Sequence, residues 1–124
     1  MIKKLNGEYY NTVHFVRAEL REYCGRNDRY YVTIFTDDNE TIMLGFQQEA
    51  VAEAVLCDSG LVKVDEEHFF NPGYVKKCYI GTNKGSPTFP KKAVFHLTVN
   101  DGERVAINCK SEFEAENFFL KLNR

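Results

Sequence analysis

The sequence predicts an α+β domain: a curved antiparallel sheet or small β-barrel carrying two helices. Three observations predict it. Runs of alternating apolar residues dominate the chain, two stretches switch to a helical period, and the order strand, hairpin, strand, helix occurs twice, as a degenerate duplication. With 124 residues, 44% hydrophobic and 27% charged, the chain can bury a core without disulfide or metal staples and is short for two domains. One domain over residues 1–124 is expected.

The N-terminal "MIKKLNGEYYNTVHF" has two lysines but no apolar run of signal-peptide length, and no run anywhere reaches the roughly 18 residues a membrane span needs. A cytoplasmic protein without a membrane partner is predicted. From Thr12 to Tyr23 two periods compete: Val16, Ala18 and Leu20 alternate as in a strand, while Val16, Leu20 and Tyr23 fit a helix. The strand is preferred. Tyr30, Val32 and Ile34 alternate with Tyr31, Thr33 and Phe35, β-branched and aromatic residues that suit a pleated surface. "TDDNE" supplies the hairpin turn, after which Ala50, Val51, Ala54 and Val55 form the apolar face of a helix stopped at Gly60.

"LVKV" and "YVKKCYI" predict two short strands, separated by "DEEHFFNPG" with its Asn71-Pro72-Gly73 turn signal. "GTNKGSPTFP", Gly81 to Pro90, has no periodicity and reads as a loop, longer than compact domains keep without a use. The first pattern then returns. At an offset of 63, Glu40 falls on Glu103, Ile42 on Val105, Leu44 on Ile107, Glu49 on Glu112 and Glu53 on Glu116. Asp101-Gly102 marks the second hairpin, Ser111 and Glu114 have capping-box spacing, and Ala115, Phe118, Phe119 and Leu122 line one helical face. Apolar Phe118-Phe119-Leu120 covers more than one side of that helix, which leaves room for a homodimer contact.

Most enzyme chemistries find no support. Cys24, Cys57, Cys78 and Cys109 are spaced by 33, 21 and 31 positions without a CxxC pair, so four reduced thiols are expected rather than a zinc ribbon or disulfide framework. His14, His68 and His96 are scattered, with no metal-ligand spacing; His14 and His96 read as strand residues. The carboxylates and imidazole of "DEEH", Asp65 to His68, are expected to diverge into solvent. "GTNKGS" is not a phosphate loop, because its lysine precedes the second glycine and prolines follow. No metal, cofactor or catalytic residue is predicted.

Charge is the asymmetric feature. The formal net charge is −2, yet Phe69 to Asn100 holds five of the 16 basic residues and none of the 18 acidic ones. Ordinary solvated surfaces mix both signs. The five are Lys76, Lys77, Lys84, Lys91 and Lys92, interleaved with Phe69, Phe70, Tyr74, Tyr79 and Phe89. Lysines pair with phosphates and aromatic faces stack on unpaired bases, a combination that single-stranded nucleic acid rewards. Lys76, Lys77, Tyr79, Lys84, Phe89, Lys91 and Lys92 are therefore the candidate nucleic-acid-binding residues, with Tyr79 and Phe89 as the stacking pair. Two other readings use the same residues: Tyr79 and its neighbours face a core while the lysines solvate the other side, or the lysines meet an acidic protein partner.

In overall length and element order, with the "MIKKLNGEYY" start and a lysine-bearing loop between two strand-hairpin-strand-helix units, the chain resembles the PrgU-like small regulators of pheromone-inducible conjugative plasmids of Gram-positive bacteria. The resemblance implies a barrel-like domain similar to the PUA fold, RNA binding, and control of the production of conjugation surface proteins. "HFFNPGYVKKCYI" is also similar to a stretch of LytTR-type DNA-binding domains, with Asn71 and Val75 matching, although two helices are predicted here and that family is mostly β. The expected function is non-enzymatic regulation of gene expression through RNA.

Overall fold

A computed structural model of the chain describes residues 1–23, 29–83 and 92–123. Among them, two α-helices accompany ten strands in three antiparallel sheets, an α+β architecture in which no strand order closes into a barrel. No helix is long and apolar enough to cross a membrane. The chain divides into two compact units, Met1–Pro72 and Gly73–Arg124.

The first unit opens with a hairpin of β1 (Ile2–Leu5) and β2 (Glu8–Asn11). Its turn is Asn6-Gly7, both at positive φ, the backbone that lets two residues reverse a chain along the strand twist. A 3₁₀ turn, Thr12–His14, follows, capped by the Asn11 side chain accepting from the Val13 N–H at 3.3 Å. It leads into β3 (Phe15–Glu22), then β4 (Tyr30–Thr36) and β5 (Thr41–Phe46). The strand preference for Thr12 to Tyr23 holds from Phe15 onward. Helix α1 (Glu49–Asp58) ends at Gly60, whose φ of 85° suits glycine, and β6 (Val62–Lys63) and β7 (His68–Phe70) complete a sheet of order β5-β4-β3-β7-β6.

One face of that sheet packs Ala18, Leu20, Val32, Ile34, Ile42, Leu44 and Phe69 with Ala52 and Leu56 of α1. The helix face therefore differs from the expected Ala50, Val51, Ala54 and Val55; Val51 is exposed and only Val55 packs in part against the core. "EAVAEAVL" is apolar nearly all round, so its period left the inward stripe undetermined, and the large Leu56 decides it. "HFF" is a strand rather than part of a connection, because β7 bonds the edge of β3 and buries Phe69 and Phe70 completely.

In the second unit a 3₁₀ turn beginning at the unit boundary, Pro72–Tyr74, precedes β8 (Val75–Asn83), β9 (Lys92–Val99), β10 (Glu103–Cys109) and helix α2 (Glu112–Leu122). The sheet order is β10-β9-β8. Gly81 to Asn83, expected to begin a loop, continue the ladder of β8 against β9, and the rest of the predicted loop lies outside the described residues. Asn100–Gly102 turns the β9–β10 hairpin, with Gly102 at φ 88°. Ser111 caps α2 by accepting from the Glu114 N–H at 3.2 Å, the predicted capping position. Ala115, Phe118 and Leu122 are buried with Phe95, Leu97 and Ile107, and the Phe95 and Phe118 rings meet edge to face at 5.9 Å. Phe119, expected inward, is nearly half exposed, and Phe113 and Leu120 more so.

The two units thus share one local order. Residues 30–58 and 92–122 both run strand, turn, strand, helix, and in each a longer strand precedes them.

Candidate nucleic-acid interface

The site begins with a register shift. Val75 stands opposite Val99 and Lys77 opposite Thr98, so Lys76 is an extra residue, a bulge. Strict alternation would send Val75 and Lys77 to the same face; the bulge lets Val75 share the face of buried Val99 while Lys77 turns to the other side with Tyr79 and Gly81. Directly opposed residues of an antiparallel ladder share a face. The face away from α2 therefore carries three cross-strand rows: Lys77, Thr98 and Arg104; Tyr79, His96 and Ala106; Gly81, Val94 and Asn108. None of these nine is acidic.

Tyr79 is 53% exposed, and its ring stacks on His96 at 4.6 Å and 13° between planes. The core-facing reading of Tyr79 is thereby overturned. Gly81 makes room for this stack, since a Cβ there would come within 3.0 Å of His96 Nε2. Lys77 Nζ lies 5.9 Å from the Tyr79 ring centre, within cation-π reach. Lys77, Tyr79, His96, Leu97, Thr98 and Arg104 line a groove of about 200 Å³. The arrangement offers two cations, a hydroxyl and an aromatic platform with one open face. On the other side of β8, burial pushes the Cys78 thiol up, which keeps it protonated at neutral pH and a poor nucleophile.

Of the predicted site residues, Lys77 and Tyr79 come together here. Lys76 is exposed in the bulge. Lys92 opens β9 opposite Asn83, and Lys84, Phe89 and Lys91 lie outside the described residues. Phe69 and Phe70 belong to the first unit and are fully buried, so they cannot stack on a ligand. His96, Thr98 and Arg104 were not foreseen as site residues. Their signal was strand alternation in β9 and β10, obscured because the bulge position, and hence the register, is not written in the local period.

Two further clusters are held by their own members. Glu49, Glu53 and Glu66 bring carboxylate oxygens within 4.8 Å of one another, and Lys63 Nζ reaches Glu53 at 2.7 Å and Glu66 at 3.3 Å. The hydrogen bond to Glu53, working against burial, holds that ammonium above its ordinary value. Asp65 and His68 converge instead of diverging: Asp65 accepts from His68 Nδ1 at 2.8 Å and from the backbone N–H groups of Glu67 and His68. Asp side chains commonly bond their own backbone two or three residues on, and here that bond closes the β6–β7 turn.

No protein-family model matches the chain, and no curated protein or solved structure matches it.

Proposed function

We propose that the outer face of β8, β9 and β10 binds single-stranded RNA and that the chain is a non-enzymatic regulator acting through that RNA. The observation that carries this reading is the exposed Tyr79 ring, backed by His96 and lying one cross-strand row from Lys77 and Arg104, with no acid among the nine strand positions of that face. Base stacking on an aromatic platform contributes about 1–3 kcal/mol per base, and the cations of the adjoining row hold neighbouring phosphates. Duplex recognition would need contacts across a groove, whereas a sheet face with one open ring suits an unpaired strand. The same role follows from the PrgU-like resemblance, and an acidic protein partner is the competing occupant of the same cations.

Titration of a single-stranded RNA into isotope-labelled protein, followed by amide chemical shifts, tests the assignment. Shifts should concentrate on Lys77, Tyr79, His96 and Arg104. Shifts confined to the first unit, or none at all, would refute it.

A further inference from the structure

The internal repeat is longer than the strand-hairpin-strand-helix unit. Both halves of the chain run through hairpin, 3₁₀ turn, bulged strand, two more strands and helix: β1, β2, Thr12–His14, β3, β4, β5, α1, and then β6, β7, Pro72–Tyr74, β8, β9, β10, α2. The bulges correspond as well, one between Phe15 and Arg17 and the other between Val75 and Lys77. At an offset of 60, Tyr9-Tyr10-Asn11 falls on Phe69-Phe70-Asn71 and Arg17 falls on Lys77. By the helices the offset is 63, and fully buried Ala52 falls on fully buried Ala115.

Those two alanines set α1 and α2 in one register, so their outward positions can be compared. Where α1 exposes Ala50 and Cys57, α2 exposes Phe113 and Leu120, 72% and 55% accessible. Phe113, Glu116 and Leu120 stand at i, i+3 and i+7, one stripe on the side of α2 away from buried Ala115, Phe118 and Leu122. Among the described residues neither Glu116 nor the adjoining Glu112 forms an ion pair. An acid in the first turn complements the helix dipole, but that role asks nothing of two large apolar side chains held in water.

The same unit carries the matching surface on the other side of its sheet. There Lys77 and Arg104 share a row, Lys76 is exposed in the bulge, and the Tyr79 ring has one open face, with no acid among the nine strand positions. One surface is acidic and apolar; the other is basic and aromatic. Helix α2 packs on the opposite face of β8, β9 and β10, so the two surfaces of one copy point apart and can meet only between copies.

We propose that the outward stripe of α2 docks, head to tail, on the outer face of β8, β9 and β10 of a second copy of this chain. Phe113 covers the open face of Tyr79. Glu112 and Glu116, within one helical turn of it, meet the row of Lys77 and Arg104, which lies two residues along the strand, about 6.5–7 Å from Tyr79. The opposed charges fix the orientation and suppress other pairings. Such a contact is heterologous: each copy keeps one free stripe and one free face, so association propagates instead of stopping at a two-fold dimer. The proposal shares the open face with the RNA reading but needs no RNA, and where RNA binds the two occupants exclude each other.

Sedimentation of the intact chain, and of two variants apart and mixed, tests this. At low salt the mass should keep rising with concentration beyond that of a dimer, and about 0.5 M salt should weaken association about tenfold or more, because it screens the exposed charges. Lys77→Glu with Arg104→Glu removes the face, and Phe113→Ala with Glu116→Lys removes the stripe; all four side chains are exposed, so the fold should persist. Each variant alone should be a monomer. An equal mixture should form a one-to-one heterodimer and nothing larger, since the first variant keeps its helix stripe and the second its sheet face. A monomer at every concentration of the unaltered chain up to about 1 mM would overturn the proposal. Association of either variant alone, the mark of a symmetric contact, or a mixture that stays monomeric would do the same. Single-stranded RNA that binds without dissolving the oligomer would contradict the shared face, whereas RNA that does not bind removes the functional reading and leaves the association standing.

Discussion

The outer face of β3 and β4 and the outer face of β8 and β9 share a register, yet one is closed by its own charges and the other is open. Each has a bulge followed by a cation, Arg17 in the first and Lys77 in the second. Two residues on, the first has Glu19 and the second has Tyr79. Glu19 accepts from Arg17 at 3.0 Å and from Arg21 at 3.4 Å, while the Arg17 guanidinium lies 3.8 Å from the centre of the Phe35 ring. That face spends its charge internally. With Tyr79 in the acid's place, none of the nine strand positions of the second face carries a carboxylate, and a ring stands beside the row of Lys77 and Arg104. A single register position thus decides whether a sheet face sets an acid or an aromatic ring beside its cation.

The largest effect expected from this comparison is on stability, at the closed face. Glu19→Ala removes the carboxylate that accepts from the buried Arg17 guanidinium at 3.0 Å and should cost about 2–3 kcal/mol, less than a fully buried pair because Glu19 keeps some contact with water. Urea unfolding checks this, and RNA affinity should be unchanged. Next comes the reciprocal change. Tyr79→Glu writes the first face's acid into the second and should weaken RNA binding roughly a hundredfold, about 2.7 kcal/mol, with native stability retained because the side chain is exposed. If binding survives Tyr79→Glu, the open face is not the binding face.

The hairpins sharpen the comparison further. The β1–β2 turn relies on positive φ at Asn6 and Gly7, whereas the β6–β7 turn relies on the Asp65 carboxylate. Burial alone would push Asp65 up, but the His68 hydrogen bond and charge, with two backbone N–H groups, bring it below its ordinary value. A depressed carboxyl contributes stability that is present above its unfolded value, about pH 4, and is lost as pH falls through the folded value. Asp65→Asn should therefore lose about 1–2 kcal/mol at neutral pH and show a shallower fall in stability below pH 4, read from denaturation at several pH values. The smallest effect is electrostatic. Lys77→Ala should reduce the salt slope of RNA binding by about 0.7, leaving any base preference unchanged.

The strand-hairpin-strand-helix units were legible because their signals are local: alternation in Tyr30 to Phe35, Asp101-Gly102 at the turn, Ser111 at the cap. The first hairpin is not among the expected elements, although its turn, Asn6-Gly7, carries a strong short-range signal. The full repeat was harder to see. Its offset is 60 through β8 and 63 from β10 onward, so alignment on the later strands alone misses the match of "YYN" with "FFN". At the site, charge counting found Lys77 and Tyr79 because both lie in one basic segment. Arg104 and His96 come from other strands, and only the ladder register brings them alongside.

The most direct test is the affinity of the intact protein for a fluorescent single-stranded RNA at several salt concentrations. Two phosphates neutralised by Lys77 and Arg104 give a logarithmic salt slope of about −1.4, steeper if Lys84 and Lys91 also engage, and Tyr79→Ala should lower affinity by about 1–3 kcal/mol with little change in slope. Absence of binding by the intact protein at low salt would contradict the account and leave a module for an acidic protein partner as the better reading of the same cations.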